Sequence, residues 1–472
     1  MSAPLHPHLP APARRTIYTR LVSGLLFPLH ERLKRHSSVR VRRQLEQTQY
    51  CTPEQLRQLQ LERLRRLLLR AASQVPYYRE LFATLGFEPQ RDLRSLDDLA
   101  RLPLSDKAVM RSQSARLRAD DAGPLARFNT GGSSGEPLVF YIGKERVSHD
   151  VGAKWRATRW WAVDIGDPEI VVWGSPIELG AQDRVRAARD AVLRTELLPA
   201  FDMSEAKLDG FIASIRRRRP RMVFGYPSAL SHIARHAAAR GQRLDDLGVR
   251  VAFVTSELLY AEQREQISAA FGCPVANGYG GRDAGFIAHQ CPEGGMHLTA
   301  EDIIVEIIAP DGRPLPAGQS GEIVVTHLAS GDYPFIRYRT GDVGTLSDQP
   351  CACGRGLPLL NDIQGRSTDF VVAADGTVMH GLALVYVLRD QPEVKAFKIV
   401  QESLQLTRVQ LVLEEALTPA LRALLEQGLR RRLGAGVSIE LEQVERILPE
   451  KSGKFRYVSS KVDAARAGGA AP

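Results

Sequence analysis

Phe128-Asn129-Thr130-Gly131-Gly132-Ser133-Ser134-Gly135-Glu136-Pro137 places three glycines and three hydroxyl side chains in ten residues, immediately ahead of the apolar run Leu138-Val139-Phe140-Tyr141-Ile142. Glycine reaches backbone angles closed to other residues and lets N–H groups approach a ligand, while Thr and Ser hydroxyls add donors for phosphate oxygens. The stretch therefore reads as a phosphate loop. Solvated turns draw on the same residues, so the decapeptide alone leaves both readings open.

Four further segments follow it in order: Tyr279-Gly280-Gly281-Arg282-Asp283, Tyr338-Arg339-Thr340-Gly341-Asp342, Gly365-Arg366-Ser367-Thr368-Asp369 and Ser452-Gly453-Lys454. The series resembles the adenylate-forming enzymes, which include acyl-CoA synthetases and the adenylation domains of peptide synthetases. Within them the chain is similar to the phenylacetate-CoA ligase family and to its CapK-like branch, which is linked to polysaccharide biosynthesis. That likeness rests on residues 130–137, on Cys291-Pro292-Glu293 and on Cys351-Ala352-Cys353-Gly354-Arg355. It extends from about Leu104 to the C-terminus.

The pattern of the chain agrees with such a fold. From Ile170 onward short β-rich runs at 170–173, 222–224, 249–254 and 275–279 alternate with helical stretches at 228–240 and 261–271, which predicts parallel sheets with crossover helices. Sites in such sheets collect at the carboxyl ends of strands, where Tyr226-Pro227, Ser256-Glu257 and Asn277-Gly278-Tyr279 fall. Between 303 and 325 the reading turns antiparallel, with Asp311-Gly312 as a hairpin turn. After Gly365 strands and helices form an α+β tail, with strands at 370–372, 394–401, 407–413 and 438–444 and helices at 382–388 and 419–433. The expected organisation is a basic N-terminal helical segment (1–50), a large α/β domain with parallel sheets and a small β-rich part (51–365), and a small α+β lid domain (366–472).

The resemblance implies ATP-dependent activation of a carboxylic acid as its adenylate, followed by transfer of the acyl group to a thiol, most simply coenzyme A. Transfer to an amine, a hydroxyl or a carrier protein, and a nucleotide-binding scaffold without catalysis, are the alternatives. It assigns Thr130, Gly131, Gly132, Ser133, Ser134 and Gly135 to the phosphates of ATP, Tyr279 to the face of adenine, Asn277 to its amino group, and Ser256, Glu257 and Gly280 to the same pocket. Asp342 takes the ribose hydroxyls and Arg366 lies near ribose and phosphate. Lys454 reaches the α-phosphate and the substrate carboxylate in the first half-reaction only, and Thr368 and Asp369 form the hinge of the lid. Two departures stand out: Glu136 precedes Pro137 where many relatives carry Pro-Lys, and Asp283 stands where relatives carry the Glu that contacts magnesium. Asp remains a hard oxygen ligand suited to Mg²⁺ beside phosphate. Tyr141, Tyr226, Pro227, Ser228 and Trp173 are expected to border the acid, and their aromatic character suits an aryl or short acyl group.

Cys291 and His297, followed by Cys351 and Cys353, make a Cys₃His set of the kind that closes a structural zinc site, with His289 as the rival imidazole. Relatives in the family carry zinc at matching positions. Cys51 and Cys273 read as packing residues. Five cysteines without a signal peptide read as reduced thiols.

The formal charge of +9 is local: residues 14–43 hold nine Lys/Arg against the single acid Glu31, which leaves +1 for the rest. No zinc finger, RNP-like motif or arginine-aromatic interleaving accompanies it, so nucleic acid is not the expected partner. Ile17, Leu21, Leu25, Phe27, Leu29 and Leu33 form an apolar stripe in this basic segment. Two readings follow, a helix packed on its own domain, favoured by how common basic helices are, and one resting on an anionic membrane. With no apolar run long enough to span a bilayer and no secretory leader, the expected location is the cytoplasm, with peripheral contact at the inner membrane face as the second reading.

Overall fold

The computed structural model describes residues 15–129, 138–173, 184–200, 205–363, 370–374, 378–380, 382–389, 391–447 and 458–462. The phosphate loop at 130–137, the motif at 365–369 with Arg366, Thr368 and Asp369, and the Ser452-Gly453-Lys454 motif lie outside the described residues. The chain divides into two units, one of residues 1–340 and 344–363, the other of residues 341–343 and 364–472.

In the first unit, helix Pro53–Gln74 shows how local sequence sets an element. Thr52 caps it, with Gln55 bonding back to the Thr52 N–H and Pro53 in the first turn, where no N–H is needed. Leu56, Leu64, Leu67, Leu68 and Ala71 then bury one face. Helix Pro76–Leu85 follows and stops at Gly86, whose φ of 61° is left-handed.

A small antiparallel pair, β1 (Ala126–Asn129) and β2 (Val139–Ile142), flanks the loop at 130–137. The main sheet has eleven strands: β3 (Glu169–Trp173), β4 (Thr195–Pro199), β5 (Met222–Gly225), β6 (Val251–Thr255), β7 (Val275–Gly281), β8 (Gly285–Gln290), β9 (Met296–Leu298), β10 (Ile303–Ile308), β11 (Ser320–His327), β12 (Tyr338–Ser347) and β13 (Leu359–Asn361). Their spatial order is β10-β11-β12-β13-β9-β8-β7-β6-β5-β3-β4. From β7 to β4 every pairing is parallel, and β7–β8, β8–β9, β9–β13, β12–β13 and β10–β11 are antiparallel.

The β-rich part is thus a continuation of the parallel sheet, because β8 turns back from β7 along its edge. The Asp311-Gly312 turn is present, with Gly312 at φ 86° and its N–H on the Ala309 carbonyl, inside a longer excursion between β10 and β11. Helices Pro227–Ala239 and Ala261–Phe271 are the crossovers that the periodicity predicts.

The second unit holds a four-stranded sheet, β18-β17-β16-β19, built from β16 (Val394–Gln401), β17 (Leu406–Leu413), β18 (Ser438–Gln443) and β19 (Val458–Ser460). A hairpin of β14 (Phe370–Val372) and β15 (Val378–His380) and helices Leu382–Arg389 and Pro419–Leu433 complete it. Leu421, Leu425, Leu429 and Leu433 recur every fourth residue and are buried with Leu384, Val385 and Leu388. Truncating Leu425 to Ala removes about 2–5 kcal/mol, since the site cannot fully collapse.

Candidate active site and metal corner

The parallel register puts Val172, Gly225, Val254 and Asn277 level across four strands. The segments that follow, Tyr226-Pro227, Ser256-Glu257 and Tyr279-Gly280, therefore emerge along one edge of the sheet. Ser256 holds φ 71°, a left-handed angle that an L residue adopts at a cost of about 1–3 kcal/mol. Gly280 is required by close approach: a Cβ there would stand 2.3 Å from the Gly285 carbonyl oxygen. Such strain and backbone crowding at a strand end are features of binding edges.

Asn277 is half-buried, and its backbone N–H bonds Gln290 Oε1 at 3.0 Å. Its carboxamide has no hydrogen-bond partner among the described residues. Tyr279, also half-buried, donates its hydroxyl to Thr340 Oγ1 at 3.4 Å, and Thr340 donates to the Ile323 carbonyl. The ring is thereby held along the sheet rather than swallowed by the core. Glu257 is half-buried beside Ser256, and Asp342 is half-buried on β12.

Asp283 is the most constrained of the expected residues. It is buried, its Oδ2 accepts from the Tyr338 hydroxyl at 2.8 Å, and its Oδ1 accepts from the Ala284 N–H at 3.1 Å. Arg146, also buried, donates to the carbonyls of Arg282 and Asp283 at 2.9 and 2.7 Å. It packs over the Phe335 ring, and its burial pulls the guanidinium pKa down despite Asp150 and Asp283 nearby. Tyr338 and Arg146 hold the turn between β7 and β8, and the motif reading assigned neither that task. Tyr338 lies inside a motif already singled out. Arg146 shares the buried helix face of Ala153 and Ala157, and a cation at such a position is itself a signal.

The aromatic residues expected around the acid separate. Tyr226, buried at the end of β5, stacks on Trp173 at the end of β3 with centroids 4.3 Å apart, and Pro227 and Ser228 begin the following helix. Tyr141 instead faces Tyr333, with centroids 5.7 Å apart.

Cys291, His297, Cys351 and Cys353 come together, with their ligand atoms all within 4.8 Å of one another. Two tight turns aim them: the Gly294 N–H returns to the Cys291 carbonyl, and the Gly354 N–H to that of Cys351, with both glycines left-handed. His297 on β9 sits opposite His289 and Leu359, its Nε2 3.1 Å from Cys353 Sγ and its Nδ1 3.2 Å from the Leu357 carbonyl oxygen. A carbonyl on the second ring nitrogen is what orients a ligating imidazole. The hydrogen bond from Cys291, and then that from His297, holds the Cys353 thiol far below the usual thiol range, while Cys291 is pushed up. The donor set and its closure fit a tetrahedral ion with no open position. His289 is excluded from it: it is buried, stacks on Phe286, and burial lowers its pKa to about 3.

Residues 371–461 match the family model of the CapK C-terminal domain. The phenylacetate-coenzyme A ligase of Thermus thermophilus is 28% identical over 351 residues, covering 72% of this chain and 77% of that one. Protein CapK of Staphylococcus aureus is 22% identical over 369 residues, covering 77% and 81%. The chain is thus similar to phenylacetate-CoA ligases and to CapK, and its C-terminal part matches the CapK C-terminal domain. The fold is that of 2-hydroxyisobutyryl-CoA ligase, solved in a postadenylation state with 2-HIB-AMP, at a TM-score of 0.71 and 22% identity over 88% of this chain and 92% of that one.

Proposed function

We propose that the protein uses ATP to convert a carboxylic acid into its acyl adenylate and then passes the acyl group to the thiol of coenzyme A. A carboxylate oxygen attacks the α-phosphorus and pyrophosphate leaves; the thiol sulfur then attacks the acyl carbon and AMP leaves. The observation that carries this reading is the shared strand edge, where the strained Ser256, the unpartnered Asn277 carboxamide and the half-buried Tyr279 ring stand at the ends of neighbouring parallel strands. The relatives named as phenylacetate-coenzyme A ligases support the acid and the thiol.

In this reading Thr130, Gly131, Gly132, Ser133, Ser134 and Gly135 receive the leaving phosphates, Asp342 the ribose, and Arg366 and Lys454 the charge that develops at the α-phosphate. Asp283, whose two oxygens each accept one hydrogen bond and keep a further lone pair, would hold Mg²⁺ directly or through water. Tyr226, Pro227 and Ser228 wall the acid. Zinc at Cys291, His297, Cys351 and Cys353 is structural, fastening the turn after β8 to the segment before β13. The basic N-terminal segment makes peripheral contact with an anionic membrane surface.

Pyrophosphate exchange into ATP across a panel of aryl and short-chain carboxylic acids tests the first half-reaction. The expected result is exchange that depends on one class of acid, followed by thioester on addition of coenzyme A. Acid-independent exchange, or none with any acid, overturns the reading.

A further inference from the structure

The residues 17–33 form one continuous helical rod with a π turn in its middle, Val22–Leu26, where the Phe27 N–H reaches back to the Val22 carbonyl. Pro28 follows, and a proline within a helix removes an N–H and crowds the preceding turn, which a wider turn relieves. The wide turn keeps Val22 and Phe27 on the same side. That side is anchored: Val22 packs on Gly166, Phe27 meets the Trp155 ring edge-on at 5.2 Å, and Thr19 donates to Asp167 at 2.8 Å. Buried Glu31 accepts from Ser38.

The opposite side is bare. Ile17, Leu21, Leu25, Leu29 and Leu33, spaced every four residues, are each between 45% and 87% exposed. Packing thus takes up the inward face only and leaves a leucine-rich ridge in water, an arrangement that marks a surface with a partner.

The row beside this ridge, Arg20, Gly24, Pro28 and Arg32, borders two grooves of about 310 and 570 Å³ that meet at Pro28, Val39 and Arg43. The smaller is lined by Arg15, Arg20, Arg42, Arg43 and Arg159, with Ser23 at its wall and Trp155 under Arg42. Arg15 pairs with Asp164, and Arg42 and Arg159 with Glu46. Arg20 and Arg43 are exposed and have no ion-pair partner among the described residues; nor have Arg32, Lys34, Arg35 and Arg40 beside them. Cations outnumber acids, and Gly24 leaves the groove open, since a Cβ there would meet nothing within 4 Å.

Resting on the reading of peripheral membrane contact, we infer that this groove is a headgroup site for an anionic phospholipid: Arg20 and Arg43 grip the phosphate, while Leu21, Leu25 and Leu29 enter the acyl layer alongside. The planar guanidinium fork suits phosphate oxygens, and the apolar row supplies what a soluble anion would not use. The inner face, docked on Trp155 and Gly166, holds the two rows at a fixed angle, so the headgroup and the chain are met together.

The test is co-sedimentation of the full-length protein with phosphatidylcholine vesicles carrying either phosphatidic acid or oleate, adjusted to equal surface potential. The expected result is retention about tenfold stronger on phosphatidic acid, because a seated phosphate adds to the diffuse attraction that both surfaces share. Arg20→Glu/Arg43→Glu removes the preference, whereas Arg66→Glu/Arg94→Glu, with the same change of charge elsewhere on the surface, preserves it. Leu21→Ser/Leu25→Ser/Leu29→Ser abolishes retention on both vesicles at a small cost in melting temperature, since those side chains are about half exposed.

Equal retention on both vesicles, unchanged in Arg20→Glu/Arg43→Glu, overturns the headgroup site while peripheral contact stands. Absence of retention on any vesicle overturns both. If glycerol 3-phosphate raises the melting temperature through Arg20 and Arg43 and no vesicle retains the protein, the groove takes a free phosphate ester and the lipid proposal falls.

Discussion

The two halves of the eleven-stranded sheet use the same backbone ladder for opposite ends. On the parallel side, β5 and β6 are short, buried runs, Met222–Gly225 and Val251–Thr255, and the polar residue of β6 stands where it stops. There Ser256 is strained and the Asn277 carboxamide is left without a partner. On the antiparallel side, β9 and β13 bring His297 beside the three thiols, with the ligand atoms within 4.8 Å of one another. One half leaves a polar side chain without a partner at a strand end; the other gathers its polar atoms against one another. Open polarity at strand ends is the mark of chemistry, and closed polarity between strands the mark of stability.

That contrast breaks most readily by taking a charge from the chemical edge. Lys454→Ala is expected to slow adenylation by on the order of 10²–10³ and to leave thioester formation from a preformed adenylate nearly unchanged, with no change in melting temperature. Equal loss in both half-reactions, measured by pyrophosphate exchange and by single-turnover acyl transfer, argues against a lysine that serves one step only.

Striking the closed half is expected to do the reverse. Cys353→Ser opens the Cys₃His set and is expected to cost on the order of 4 kcal/mol of stability, with zinc content falling in parallel by elemental analysis. The fraction that stays folded retains its acid-dependent exchange. Zinc-free protein with an unchanged melting temperature means that the cluster contributes nothing to the fold.

The finest test sits on β12, in the antiparallel half, whose Tyr338 reaches the turn after β7. Tyr338→Phe removes the hydroxyl that satisfies buried Asp283, so a carboxylate oxygen loses its donor at a cost of about 1–3 kcal/mol. Adenylation is expected to fall by about tenfold through a displaced Asp283, and titration with magnesium is expected to show a raised half-saturation. A change in stability with no change in magnesium response makes Tyr338 purely structural.

Much of the architecture was legible because it is local. The crossovers Ala261–Phe271 and Pro419–Leu433 and the strands Phe370–Val372 and Val394–Gln401 follow from the spacing of apolar residues, which backbone geometry translates directly into helix or strand. Strand Thr195–Pro199 escaped that reading, since Thr195-Glu196-Leu197-Leu198-Pro199 at a sheet edge carries little alternation and ends in proline. The cysteine set was legible too, because few other uses suit three thiols and an imidazole in turns rich in glycine.

By itself, the sequence determined the succession of an α/β part by an α+β part, the ordered motifs and the Cys₃His set, all of which depend on residue identity and short-range spacing. Only the tertiary structure decided between His289 and His297, because an imidazole between aromatic rings and one facing thiols look alike in a string of letters. It alone revealed that Tyr338 and Arg146 clasp the turn of Asp283 across long stretches of chain. And it alone assigned Val22 and Phe27 to the core while leaving Leu21, Leu25 and Leu29 in water. An apolar stripe states that a face will be covered; which face finds the protein's own core is settled by what packs against it.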